Sequence, residues 1–147
     1  MDQGSINFHN QSISFNLPQK TLVRQWLHKA AKIEGYKIYQ LNYIFCSDKD
    51  LLEINRNYLK HDTLTDIITF GLSENKAALE GDIFISIERV SENAKEFGEL
   101  KSRELKRVMI HGLLHLMGYK DKNKIDTLQM RKKEEAYVNL WVKISNI

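Results

Sequence analysis

SRELKRVMIHGLLHLMGYKD, residues 102–121, contains the most apolar helical pattern of the chain. Its apolar side chains recur at intervals of three and four residues: Leu105, Val108, Met109, Leu113 and Leu116. This spacing is typical of one face of an α-helix, so we predict a helix over 102–117 that ends at Gly118. Because its pattern is so apolar, we expect this helix at the centre of the molecule.

Two histidines stand four residues apart within this predicted helix. Residues at that spacing lie one turn apart on the same face, so His111 and His115 direct their rings into one space. Gly118 can adopt the left-handed conformation that reverses the chain after a helix, which would bring Asp121 back toward the two rings. We therefore expect three donor groups within about 4 Å of each other, as ligands of one metal require.

Two imidazoles and one carboxylate match the three protein ligands of catalytic zinc, whose remaining position holds water. A metal in such a site lowers the pKa of its water toward ~7. From the residues alone, the alternative is a pair of hydrogen-bonded histidines in the core. A zinc peptidase of the H-E-x-x-H type is disfavoured, because Gly112 occupies the place of the general-base glutamate.

The rest of the chain alternates between strand and helix patterns. Strands are predicted within 5–16 (an edge strand or hairpin), 41–47, 66–72 and 82–87, with a polar connection over 73–81. Further helices are predicted over about 19–33, from a cap at Ser47 or Asp48 to Ile54, over 87–98 and over 126–142. These elements predict one domain, 1–147, of the α+β class, with few strands and about five helices.

The composition is that of an ordinary globular protein, with 42% apolar and 28% charged residues among 147. The single cysteine, Cys46, excludes an intrachain disulfide and a Cys-rich metal site, and its apolar surroundings predict a buried, inert thiol. The first ten residues lack a secretory signal, and no apolar run approaches the roughly 18–20 residues of a membrane span. We therefore expect a cytoplasmic location without membrane contact.

The net charge of +3 is unevenly distributed along the chain. Residues 1–100 contain 11 Lys and Arg against 14 Asp and Glu, whereas residues 101–147 contain 11 against 5. The cations around the histidines are Lys101, Arg103, Lys106, Arg107, Lys120, Lys122 and Lys124. This basic excess beside the candidate site favours a polyanionic partner such as nucleic acid. The alternative is that these cations only keep helix surfaces soluble.

Three segments carry a resemblance to a known family. HGLLHLMGYKD (111–121) resembles the HGxLHLxGYDH signature of the YbeY family, bacterial rRNA maturation factors regarded as single-strand-specific endoribonucleases. INRNYLKHDTLTDIITF (54–70) is similar to the family's NxxYRxxDxPTDVLSF block, and EGDIFISIE (80–88) is similar to its LGDIxIxxE strand. The order and spacing of the three segments also agree with the family.

The resemblance implies a fold, an activity and partners. The fold would be a small mixed β-sheet of about four strands covered by about five helices, with the metal-site motif on the central helix. The activity would be metal-dependent cleavage of single-stranded ribosomal RNA during rRNA 3'-end maturation and ribosome biogenesis. The partners would be ribosomal RNA and the small ribosomal subunit, with one divalent metal per chain, zinc being the expected ion, and no small-molecule cofactor. Lys120, Lys122 and Lys124 then become candidate RNA contacts.

The chain departs from the family pattern at three positions. The third metal ligand of the family is usually histidine and is Asp121 here, a donor set that also suits iron, nickel or manganese. The family's arginine after the tyrosine, which is thought to help at the phosphate, is Leu59, so Arg56 or Lys60 would have to replace it. The proline before Thr65 is Leu64.

Three functions therefore compete. The leading one is a metal-dependent endoribonuclease that acts through water held by His111, His115 and Asp121, with nearby cations positioning phosphates. The second is a ribosome-assembly binding module in which a structural metal fastens the central helix to the following turn; the leucine at position 59 favours it. The third is a metal-dependent hydrolase of another substrate, such as a peptide or small molecule.

Overall fold

The computed structural model describes residues 4–61, 63–72 and 77–146. Within these ranges the chain forms four strands and five helices, which confirms the predicted α+β class. In chain order they are β1 (Ser5–Asn10), α1 (Lys20–Ile33), β2 (Lys37–Cys46), α2 (Asp48–Tyr58), β3 (Ile67–Gly71), β4 (Ala78–Ser86), α3 (Ile87–Phe97), α4 (Lys101–Leu116) and α5 (Lys124–Ser145).

The four strands form one mixed sheet in the order β1-β2-β4-β3. β1 and β4 both pair with β2 in parallel, and β3 pairs with β4 antiparallel. Parallel neighbours need crossover connections, which α1 supplies between β1 and β2. The N-terminal segment is therefore an edge strand over Ser5–Asn10 and not a hairpin.

The central helix α4 packs on one face of this sheet. Gly112 makes the close approach possible, because a Cβ atom there would lie 3.0 Å from side-chain atoms of Ile67 and Ile83. Successive residues of a strand point to opposite faces, so Phe84 lies on the other face, in a small cluster beneath α2 that includes Leu51. Helices α2 and α4 therefore cover opposite faces of the sheet.

Serine side chains begin the two helices that follow β2 and β4. The Ser47 hydroxyl accepts a hydrogen bond from the Asp50 backbone N–H at 3.1 Å, and the Ser86 hydroxyl accepts one from the Arg89 N–H at 3.1 Å. Each hydroxyl satisfies an amide that has no partner within its helix. Of the two predicted caps for α2, Ser47 is the one that caps it.

The predicted polar connection over 73–81 is wrong in its second half. Residues 73–76 lie outside the described residues, and β4 begins at Ala78. A Cβ atom at position 81 would lie 2.8 Å from the Phe70 carbonyl oxygen on β3, which is too close. A glycine at this position therefore lets the two strands pair. The first residues of β4 have no strand pattern of their own, and they form a strand because they pair with β2.

Burial changes the expectation for two of the cations before the histidines. Lys106 is only 4% exposed, with its Nζ 4.6 Å from the centre of the Trp141 ring, and burial lowers its pKa to about 8. Arg107 is held by the carboxylates of Glu104 and Glu134. Neither residue therefore belongs to a free basic surface.

Two other expectations from the composition can be compared with the structure. Cys46 is fully buried, as predicted, and burial raises the pKa of its thiol to about 12, ahead of a smaller effect of Asp50. Among the described residues, none of the helices is both long and apolar enough to cross a membrane.

Candidate metal centre

The end of α4 brings the two histidines and the aspartate of the motif together. The Nε2 atoms of His111 and His115 lie 2.9 Å apart, and each lies 3.5 Å from Oδ2 of Asp121. These three are the group of possible metal-binding side chains found among the described residues. Their convergence is the arrangement that the motif predicts.

A glycine turn directs Asp121 toward the rings. Gly118 has a φ angle of 100°, which L side chains rarely adopt, and its N–H donates to the His115 carbonyl oxygen at 3.0 Å. The next N–H, of Tyr119, donates to the Leu114 carbonyl oxygen at 3.0 Å. These bonds end the helix and reverse the chain within its last turn.

The outer nitrogen of each ring fixes its tautomer. Nδ1 of His115 lies 2.9 Å from the Tyr119 carbonyl oxygen, which only accepts, so this nitrogen carries the proton and donates. Nδ1 of His111 lies 2.5 Å from a carboxylate oxygen of Glu134 and donates in the same way. Assigned from these partners, both Nε2 atoms present lone pairs to each other and to the Asp121 carboxylate.

Three acceptor atoms facing one another fit a bound cation. In tetrahedral coordination with ligand distances of about 2.1 Å, donor atoms are roughly 3.4 Å apart. The observed separations of 2.9, 3.5 and 3.5 Å are close to this value. The donor set of two neutral imidazoles and a carboxylate suits zinc and other divalent transition metals.

A buried carboxylate behind His111 was missed from the sequence. Glu134 of α5 is 3% exposed and accepts the His111 hydrogen bond with Oε2, while Oε1 lies 3.1 Å from Nη1 of Arg107. Burial alone would raise the pKa of Glu134, but the His111 hydrogen bond and the Arg107 charge outweigh it and lower the pKa. A carboxylate at the outer nitrogen of a ligating histidine orients the ring and makes it a stronger donor.

A sequence signal for Glu134 does exist. The buried residues of α5 recur at helical spacing: Met130, Glu134, Tyr137, Val138 and Trp141. A glutamate within an apolar stripe is rarely buried without a partner. The partner itself, His111, is 23 residues away and is not identified by this pattern.

Arg107 joins the centre to the segment 54–70. Its Nη2 lies 2.7 Å from Oε2 of Glu104 and 3.8 Å from Oδ2 of Asp66. Burial raises the pKa of Asp66, although the Arg107 charge opposes this effect. Glu134 is the third carboxylate beside Arg107. The positive charge of Arg107 is therefore balanced by these carboxylates, and its role here is to hold side chains in place.

The other predicted site residues lie on exposed surface. Arg56 lies in the last turn of α2, the helix on the opposite face of the sheet from α4, and Lys60 follows that helix; both are exposed. The exposed lysines of the turn and the start of α5 flank Asp121: Lys120, Lys122 and Lys124.

The fold and the centre together define an α+β protein with a candidate His–His–Asp metal site at the end of its central helix. The chain belongs to the YbeY family. The sequence model of this family, described as "Endoribonuclease YbeY", matches residues 5–142.

Relatives and a solved structure agree with this membership. "Endoribonuclease YbeY" of Cytophaga hutchinsonii is 50% identical over 140 residues, covering 95% of this chain and 98% of the relative. The protein of the same name from Amoebophilus asiaticus is 44% identical, with 94% of each chain covered. The solution structure of TM1509 from Thermotoga maritima is similar with a TM-score of 0.67 at 29% identity, covering 95% of this chain and 90% of that one.

Proposed function

We propose that this chain is a metal-dependent endoribonuclease that cleaves single-stranded ribosomal RNA in rRNA 3'-end maturation and ribosome biogenesis. The activity is supported by family membership and by the name of the relatives. The observation that carries the metal dependence is the convergence of two imidazole lone pairs and one carboxylate at the end of α4. The same proposal includes the small ribosomal subunit as partner. It also includes a cytoplasmic location, where the protein would encounter ribosomal RNA.

His111, His115 and Asp121 would hold one divalent ion per chain, with zinc as the expected ion. A divalent ion supplies an acidified water molecule and neutralises charge that develops on the phosphate. Glu134 and the Tyr119 carbonyl oxygen would keep the proton of each ring on Nδ1, so that both Nε2 atoms could bind the ion. The Asp121 carboxylate adds negative charge that offsets the ion's own charge, which matters at a site that binds polyanionic RNA.

Nearby cations would position the RNA backbone. Lys120, Lys122 and Lys124 surround Asp121 on exposed surface, where phosphates can reach them. Arg56 and Lys60 remain candidates for the role of the family's arginine, replaced by Leu59.

An RNA that contains one single-stranded segment between two duplexes tests the proposal. We expect the zinc-loaded protein to cleave this RNA within the unpaired segment and to leave a fully paired RNA of the same sequence intact. Products are mapped after end-labelling, with a ribosomal RNA 3'-end precursor as the natural substrate. Equal cleavage of both RNAs, or cleavage of neither, would contradict the proposed substrate class.

The lysines around Asp121 predict a salt dependence. For single strands, the logarithm of affinity falls with the logarithm of salt by roughly 0.7 per neutralised phosphate, so three to five contacts give a slope of about −2 to −3.5. Changing Lys120, Lys122 and Lys124 to Gln should flatten this slope without altering zinc content. RNA binding across a salt series measures it.

The matched control replaces three exposed lysines that lie away from the turn: Lys49 of α2, Lys95 of α3 and Lys143 in the last turn of α5. This control should keep the parent slope if the RNA lies beside the metal centre. An unchanged slope in the first variant would leave Lys120, Lys122 and Lys124 as ordinary solubilising surface.

A further inference from the structure

The corner between α1 and β2 holds the turn that carries Asp121. Tyr36 donates a hydrogen bond from its hydroxyl to the Met117 carbonyl oxygen at 3.0 Å. Glu34, at the end of α1, accepts one from the Tyr119 hydroxyl at 2.7 Å. Both contacts join segments more than 80 residues apart, so they arise only in the folded chain.

The Glu34 carboxylate is nearly buried, with a side chain 9% exposed. Besides Tyr119 it accepts hydrogen bonds from the Tyr137 hydroxyl and from Nζ of Lys133 at 3.0 Å. Burial alone would raise the pKa of Glu34, but the hydrogen bonds from Tyr137, Tyr119 and Lys133 outweigh it and lower the pKa. The carboxylate therefore stays ionised and anchors three side chains at one point.

Tyr119 extends this anchor to the metal centre. Its side chain donates a hydrogen bond to Glu34, and its carbonyl oxygen accepts one from the Nδ1–H of His115, with the two heavy atoms 2.9 Å apart. The residues on either side, Gly118 and Lys120, are exposed. Without the bond to Glu34, the turn would lose a tertiary attachment at the residue that orients His115.

We propose that Glu34 and Tyr119 are positioning residues for the metal centre. Through the Tyr119 carbonyl oxygen they hold His115 in the tautomer whose Nε2 is free to bind a cation, and they hold the turn from which Asp121 projects. This inference rests on the proposed metal-dependent function, but it concerns zinc binding and ring orientation, which are measured without RNA.

Two tyrosine variants separate positioning from general stability. Tyr119→Phe and Tyr137→Phe each remove one hydroxyl that donates to Glu34, but only Tyr119 also contacts a candidate ligand. Loss of a direct partner of a ligand typically weakens metal binding 10–100-fold, so for this more remote link we expect a loss of about three- to tenfold in Tyr119→Phe. Tyr137→Phe should change zinc affinity less than about twofold by the same comparison. Zinc is titrated against a competing chelator, with thermal unfolding recorded for both variants.

Nitrogen NMR of the His115 ring supplies a readout that stability alone does not move. In the metal-free parent and in Tyr137→Phe, the proton should reside mainly on Nδ1, whereas Tyr119→Phe should shift it toward Nε2. Equal zinc affinities and the same ring spectrum in the two variants would overturn the inference. A failure to cleave RNA would affect only the proposed function, because neither measurement uses RNA.

Discussion

His115→Ala is expected to abolish zinc binding and RNA cleavage while the protein remains folded. The variant removes one of three ligands, and the ion is expected to supply several kcal/mol of stabilisation in the transition state. A loss of about 4 kcal/mol corresponds to roughly a 1,000-fold slower reaction. His115 is the better choice than His111, because it is partly exposed and its removal leaves no buried carboxylate without a partner. Zinc content, cleavage rate and circular dichroism are measured on the same preparation.

The control is His9→Ala, which removes an exposed histidine from the edge strand β1. This variant should bind zinc and cleave RNA as the parent does. Global unfolding of His115→Ala, with a normal His9→Ala protein, would instead favour the alternative in which the metal only fastens α4 to the following turn. Cleavage at the parent rate by a folded, zinc-free His115→Ala protein would refute the metal-dependent mechanism.

Glu134→Gln is expected to weaken zinc binding by 10–100-fold, the range typical for carboxylates that support a ligating histidine. The amide has nearly the shape of the carboxylate, but it is neutral and therefore a poorer acceptor for the proton on Nδ1 of His111. It also removes one of the charges that hold Arg107, at 3.1 Å from Oε1. Chelator competition gives the affinity, and urea unfolding gives the accompanying loss of stability.

Glu135→Gln is the matched control, since it changes the same charge one residue away on the exposed side of α5. Its zinc affinity should equal that of the parent. If Glu134→Gln also binds zinc as the parent does, the hydrogen bond at Nδ1 of His111 has no part in metal binding. If Glu134→Gln weakens zinc binding, rescue is tested with Glu134→Asp, whose shorter side chain keeps the charge but reaches less far.

The arrangement of the charged network explains why part of it was not foreseen. A hydrogen bond between residues of one helix or turn requires a fixed spacing of those residues in the sequence. A hydrogen bond between distant segments requires no such spacing. The carboxylate of Glu34 lies 85 residues from Tyr119, and that of Glu134 lies 23 residues from His111. The same reason applies to Lys106, whose burial against Trp141 depends on where α5 crosses α4.

The local part of the site could be predicted from the amino-acid sequence. The helical spacing of His111 and His115 and the glycine at 118 are properties of one segment, so the convergence with Asp121 could be predicted from local geometry. The contacts of Tyr36 and Glu34 that hold the turn could not. Three features became visible only in the folded chain: the parallel order of the strands, the extension of β4 over Ala78–Gly81, and the roles of Glu34 and Glu134. These features depend on contacts between distant segments, and such contacts form only when burial of the common core offsets the entropy of bringing the segments together.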